Sequence, residues 1–186
     1  MPGDPHYFIG IPVPEDIANK LIEWQEILDP FVSYHQWVHK DDFHITLKFL
    51  GAVSSSQLEK VKNQLAHLPK IKKDLIQING VNFFGKEEQP RVMYAEVINN
   101  EMLTKLHKEI EVRMVELGFQ KEFRPYRPHI TLAKKWVKGK LYTSIDVLDL
   151  KLDEYGSPNY EVNEFHLYRV HPNQLPKYEI VHTFTI

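Results

Sequence analysis

The tetrapeptide His-Ile-Thr-Leu stands twice in this chain, as His44-Ile45-Thr46-Leu47 and, 85 residues later, as His129-Ile130-Thr131-Leu132. With ten histidines in the chain and ordinary residue usage, chance supplies such a second copy on the order of once in several hundred chains. The repeat therefore marks an internal duplication, which favours two similar halves about a pseudo-two-fold axis. Side chains alternate along an extended strand, so His44 and Thr46 share one face while Phe43, Ile45, Leu47 and Phe49 take the other. The second copy repeats the pattern, with His129 and Thr131 opposite Ile130 and Leu132. Each strand then offers an apolar face to a core and an imidazole–hydroxyl pair to whatever lies across from it.

The flanking residues fit that division. His6 to Ile11 reads as a buried strand closed by Pro12 and Pro14. A helix is predicted from about Pro14 to Leu28, where Ile17, Leu21, Trp24 and Ile27 or Leu28 fall at three- and four-residue steps. Ser56-Gln57-Leu58-Glu59 reads as a capping box opening a second helix that carries Val61, Leu65 and Leu68 on one side. Leu75 to Phe84 and Val92 to Ile98 are strands joined by a polar turn over 85–90. A third helix runs from about Asn100 to Leu117, with Gly118 at a left-handed C-cap. Lys138 to Tyr155 is a variable segment, followed by strands near Glu164 to Val170 and Tyr178 to Ile186. A helix precedes the motif strand in each half. The fold class is α+β: two similar lobes, with antiparallel sheets lining a central cleft and helices outside. No linker or low-complexity stretch divides them, so residues 1–186 are expected to form one bilobal domain.

Composition narrows the chemistry. Lys and Arg number 23 against 25 Asp and Glu, for a net charge of −2, which argues against an extended, sequence-independent grip on a nucleic acid backbone. A short anionic ligand held locally remains open. The chain has no cysteine, which leaves histidine, carboxylates, hydroxyls and lysine as catalytic groups. No apolar run reaches the ~20 residues needed to span a bilayer. The expectation is a cytoplasmic monomer without a membrane segment.

If the two strands face each other across the axis, His44 and His129 stand on opposite walls of one cleft. An imidazole titrates near neutrality and serves as base or acid. In-line displacement at phosphorus needs one group to deprotonate the nucleophile and another to protonate the leaving oxygen, so two imidazoles suffice without metal or cofactor. Thr46 and Thr131 add hydroxyl donors for non-bridging oxygens. Strand parity adds a cation on each wall, Lys48 and Arg127, as phosphate contacts, with Arg124 behind the latter. Trp37 and Tyr126 are the candidates for stacking on a nucleobase; Phe49 has the parity of the buried face.

The paired motifs, the run Trp37-Val38 to His44-Ile45-Thr46-Leu47-Lys48-Phe49-Leu50-Gly51, and Arg127-Pro128-His129-Ile130-Thr131-Leu132-Ala133 resemble the two-histidine (2H) phosphoesterases. The similarity is greatest to the RNA 2′,3′-cyclic phosphodiesterases, also called 2′-5′ RNA ligases. It extends from Phe8-Ile9-Gly10-Ile11 to the final strand. The resemblance implies a bilobal α+β fold and metal-independent opening of a terminal 2′,3′-cyclic phosphate to a 2′-phosphomonoester, reversible as 2′-5′ ligation. RNA 3′ ends or small cyclic nucleotides would be the substrates, His44 and His129 the acid–base pair, and Thr46 and Thr131 the phosphate ligands. Lys134 stands where the family commonly has arginine, and strand parity turns it away from His129.

Two other readings stay open. His35 and His39 invite a metal, although no third donor lies at a supporting spacing. A non-catalytic module binding nucleotides or RNA ends on the same scaffold would also use the cleft, though it would not need all four motif side chains.

Overall fold

The computed structural model describes residues 3–86, 89–137 and 144–186. In chain order the elements are β1 (His6–Pro12), α1 (Glu15–Leu28), β2 (Tyr34–Trp37), β3 (His44–Ala52), α2 (Ser55–Ala66), β4 (Leu75–Lys86), β5 (Gln89–Val97), α3 (Glu101–Glu116), β6 (His129–Trp136), α4 (Ile145–Leu152), β7 (Asn159–Glu161), β8 (Glu164–Val170) and β9 (Tyr178–Thr185). The three expected helices form close to their expected bounds. Asn100 caps α3 by accepting from the Leu103 N–H. Ser54, rather than Ser56, caps α2, with its hydroxyl accepting from the Gln57 N–H. Sequence patterning does not reveal β2, α4 or β7. The first and last are only four and three residues long and depend on partners far away in the chain. Part of the polar turn over 85–90 and of the variable segment lies outside the described residues.

The two sheets expected from the sequence are one antiparallel sheet of nine strands, ordered β7-β4-β5-β6-β3-β1-β8-β9 with β2 also on β6. That order reads the same from either end once β1 is matched with β5, β8 with β4 and β9 with β7. The axis falls between the two motif strands, which meet at a single pair, Ile45 with Ile130. Both isoleucines are fully buried in a core that takes residues from both halves. The helices cover that apolar face, leaving the motif histidines on the other.

The helices exchange sides. Gln25, the eleventh residue of α1, sends its amide N–H groups to the carbonyls of Val38 and Leu132 at 3.0 Å, and so braces β6 of the other half. Glu111, the eleventh residue of α3, pairs with Lys48 of β3 at 2.8 Å. Equivalent helix positions thus hold equivalent stretches of the motif strands.

Those stretches are β-bulges. Gly10 pairs with Thr46 and Ile9 with Lys48, which leaves Leu47 as an extra residue. Tyr94 pairs with Thr131 and Met93 with Ala133, which leaves Leu132 as the extra one. An inserted residue reverses the alternation beyond it. Lys48 therefore faces the core beside Ile9, and Phe49 turns out to the cleft face. In the second copy Lys134 turns to the cleft. Strict alternation assigns all three to the wrong side.

Candidate active site

Continuing the register from the Ile45–Ile130 pair places His44 across from Thr131, and Thr46 across from His129. The imidazoles are held alike. His44 Nδ1 donates to the Asp42 carbonyl at 2.7 Å, and His129 Nδ1 donates to the Arg127 carbonyl at 2.8 Å. A carbonyl only accepts, so each Nδ1 carries the proton and each Nε2 is the basic nitrogen of the neutral ring. His44 Nε2 accepts from the Thr46 hydroxyl at 3.1 Å. A side chain at Gly10 would crowd the site, since an added Cβ would lie 3.0 Å from the Ile45 carbonyl oxygen and 3.4 Å from the His44 ring.

Aromatic rings surround each imidazole. Phe8 lies 4.5 Å from His44 and Tyr178 5.0 Å away, edge-on. Phe84 and Tyr94 lie 4.8 and 5.2 Å from His129. Nothing in the sequence singles out these four, because each sits on a different strand and only the sheet order brings it in. This packing excludes water from the charged ring, so burial pulls both pKa values down. His44 falls to about 4, with the Lys134 and His129 charges adding to burial and the Asp42 carbonyl opposing it. His129 is lowered by burial and by Lys134, against the Arg127 carbonyl.

Lys134 lines a recess beside His44 and Thr131, together with Trp37, Asp42, Lys177 and Tyr178. Burial and the Lys177 charge lower its pKa, while Asp42 opposes them. The buried Asp42 carboxylate accepts the main-chain N–H groups of Lys177 and Tyr178 at 2.8 and 3.1 Å. Asp42 thereby ties the start of β9 to the segment that orients His44. Sequence alternation turns Lys134 the wrong way, and only the register shift at Leu132 brings it to the recess; Lys177, Tyr178 and Asp42 carry no signal in the sequence.

The remaining expected residues divide. Arg127 is exposed on the His129 side, close enough for its charge to act on Tyr94. The carboxylate of Glu122 is taken by Arg124 rather than by Arg127. Trp37 lines the recess and donates from Nε1 to Asp29 at 2.8 Å. Lys48 does not reach the cleft: its ammonium is buried, paired with Glu111 and bonded to the Gln120 carbonyl at 2.6 Å. The bulge at Leu47 is the reason. Tyr126 does not offer a free ring, since His107 stacks on it at 4.0 Å and its hydroxyl donates to the Thr46 carbonyl. It braces the approach to β6. His35 and His39 gain no third donor, and the described residues contain no group of three or more His, Cys, Asp or Glu side chains placed to hold a metal ion. Among the described residues no helix is long and apolar enough to cross a membrane.

A duplicated sheet with two imidazoles of one tautomer, each beside a threonine, is the arrangement of a two-histidine phosphoesterase. The family model of the LigT-like phosphoesterases matches residues 11–94 and 98–178, and the chain belongs to that family. It is 37% identical over 184 residues to the RNA 2′,3′-cyclic phosphodiesterase of Bacillus subtilis, covering 98% of this chain and 97% of that one. It is 28% identical to the RNA 2′,3′-cyclic phosphodiesterase of Geobacillus stearothermophilus over 97% of this chain, which spans 57% of that longer protein. The fold is similar to that of Escherichia coli LigT crystallised with 3′-AMP, with a TM-score of 0.79, 20% identity and 98% of each chain covered.

Proposed function

We propose that this protein is an RNA 2′,3′-cyclic phosphodiesterase that opens a terminal cyclic phosphate to a 2′-phosphomonoester. The observation that carries the reading is the matched hydrogen bonding of His44 and His129, which leaves a basic Nε2 on each ring, that of His44 beside the Thr46 hydroxyl. Water attacks phosphorus in line with the 3′-oxygen. His44, the imidazole held at about 4, takes the water proton on Nε2, and His129 protonates the departing 3′-oxygen. When a phosphate occupies the cleft, the Thr46 hydroxyl turns from His44 to a non-bridging oxygen, which frees the base, and Thr131 holds the other. Lys134 and Arg127 offset the phosphate charge, and Trp37 walls the recess. A 5′-hydroxyl attacking in place of water opens the same ring, with the 3′-oxygen again leaving, and gives a 2′-5′ linkage. The reading has the protein act as a cytoplasmic monomer on RNA 3′ ends or small cyclic nucleotides; sedimentation at micromolar concentration tests the oligomeric part.

The direct test is to incubate the protein with a short RNA ending in a 2′,3′-cyclic phosphate, in excess EDTA, and identify the terminal phosphate. A 2′-phosphate at a rate unaffected by EDTA is expected, because the two imidazoles supply both proton transfers. A 3′-phosphate, or turnover only with added divalent metal, would overturn the mechanism.

The pH profile carries a second test. The base must be deprotonated and the acid protonated in the free enzyme, and both pKa values are depressed. The plot of kcat/KM is therefore expected to rise through about pH 4 and to fall below the ordinary imidazole value of about 6.5. Its maximum lies on the acid side of neutrality. Lys134→Met removes a cation that lowers both groups, so both limbs should move to higher pH; unmoved limbs would exclude that electrostatic role.

A further inference from the structure

We propose that the recess beside His44 is a subsite for a second, non-reacting phosphate of RNA, one nucleotide away from the phosphorus under attack, with Lys177 as its chief ligand; the inference rests on the cyclic phosphodiesterase reading. The recess takes in His44 and Thr131 but neither His129 nor Thr46, so it runs outward from the His44 end of the cleft. Two lysines line it, Lys134 and Lys177, against one aspartate, Asp42. The Asp42 carboxylate engages the main-chain N–H groups of Lys177 and Tyr178 through Oδ1, and its charge opposes the lowering of Lys134 without cancelling it. Two cations sharing a partly buried recess repel each other until an anion joins them. A cyclic phosphodiester carries a single negative charge, which Lys134 and Arg127 already offset, so Lys177 is surplus to the reacting group.

The other polar groups of the recess also suit an anion. Gln36 pairs directly with Lys134 across β2 and β6, and directly opposed residues of an antiparallel pair share a face. His39 Nδ1 accepts the Asp41 N–H at 3.2 Å, which makes Nε2 the protonated nitrogen and a further donor. Lys177 is fixed at both its peptide groups, its N–H by Asp42 and its carbonyl by the His171 N–H at 2.7 Å, so the backbone that carries the ammonium is held while the side chain is left for a ligand. RNA brings a second phosphate from two sources. The nucleophile approaches on the His44 side, and when a 5′-hydroxyl replaces water the acceptor strand enters there: its 5′-oxygen bonds to phosphorus, its proton passes to His44 Nε2, the bond to the 3′-oxygen breaks and His129 protonates that oxygen. The first phosphodiester of the acceptor then follows one ribose behind. The other source is the phosphodiester on the 5′ side of the cyclic end itself.

The test has two arms, each pairing a compound that carries the second phosphate with one that lacks it. The first compares kcat/KM for a dicytidine ending in a 2′,3′-cyclic phosphate with that for cytidine 2′,3′-cyclic phosphate. The second supplies cytidylyl-cytidine or cytidine as the 5′-hydroxyl acceptor during opening of the cyclic mononucleotide and reads the ratio of ligated to hydrolysed product. Lys177→Met should reduce the advantage of the phosphate-bearing compound by roughly 5- to 12-fold, between the effect of a surface ion pair and that of a charged hydrogen bond, and Lys177→Arg should keep it. A loss in the first arm assigns the phosphate to the cyclic strand, and one in the second assigns it to the acceptor. No change in either arm, or an equal loss on both members of a pair, would overturn the proposal. If the wild type did not open the ring, the phosphodiesterase reading would fall by itself. Calorimetry then decides the recess: binding of cytidylyl-cytidine tighter than cytidine, and weakened by Lys177→Met, supports it, and any other result overturns it.

Discussion

Replacing either His44 or His129 by alanine is expected to lower turnover of a 2′,3′-cyclic phosphate by about 10²- to 10⁴-fold, the range for losing a general acid or base. The loss falls on kcat, because each imidazole acts on a proton that moves only in the transition state. The double variant should be little slower than the worse single one if the two act as a unit on one displacement. Both variants should stay folded, since the histidines lie on the cleft face and the core isoleucines between them are untouched. Steady-state rates with circular dichroism as a control read the result. Turnover near that of wild type in either variant would remove the two-histidine mechanism.

The second large effect is on stability. Lys48→Met should destabilise the fold by about 3–5 kcal/mol, because it leaves the Glu111 carboxylate buried without its partner. The side chains of this pair are only 5% and 13% exposed, so water cannot take over the missing charge. One Glu111 oxygen also accepts the Glu122 N–H at 2.7 Å. Adding Glu111→Gln should recover a large part of the loss, since glutamine sheds the charge and keeps an acceptor for that N–H. Urea unfolding of the single and double variants measures the coupling. A loss under about 1 kcal/mol in Lys48→Met would mean that the pair is solvated, as surface pairs are, and would undo the reversal of strand faces at Leu47.

Much of the candidate site is legible in the residues alone. A second His-Ile-Thr-Leu is improbable enough to announce duplication, and strand alternation puts each histidine on the face of its own threonine while Ile45 and Ile130 go to the core. What fails is alternation carried past the motif. Leu47 and Leu132 are bulged, so Lys48, Phe49 and Lys134 all face opposite to their sequence parity. A bulge is settled by what the neighbouring strand and helix can satisfy: here Gln25 bonds the Leu132 carbonyl and Glu111 neutralises Lys48. Neither partner lies near the motif it serves. Tyr126 reads as a stacking surface only for want of His107, which approaches it from α3.

The sequence by itself determined which side chains make up the two motif faces, because residue types and a two-residue period are local, and the repeat tied two local units together. It determined the apolar stripes of the three long helices for the same reason. Only the tertiary structure decided the electrostatics of the site. The lowering of His44, the recess shared by Lys134 and Lys177, and the clamp of Asp42 on the start of β9 all depend on groups far apart in the chain. They meet because β6 and β3 cross at one pair at the centre of the sheet, where a chain duplicated about an axis must bring its two copies together.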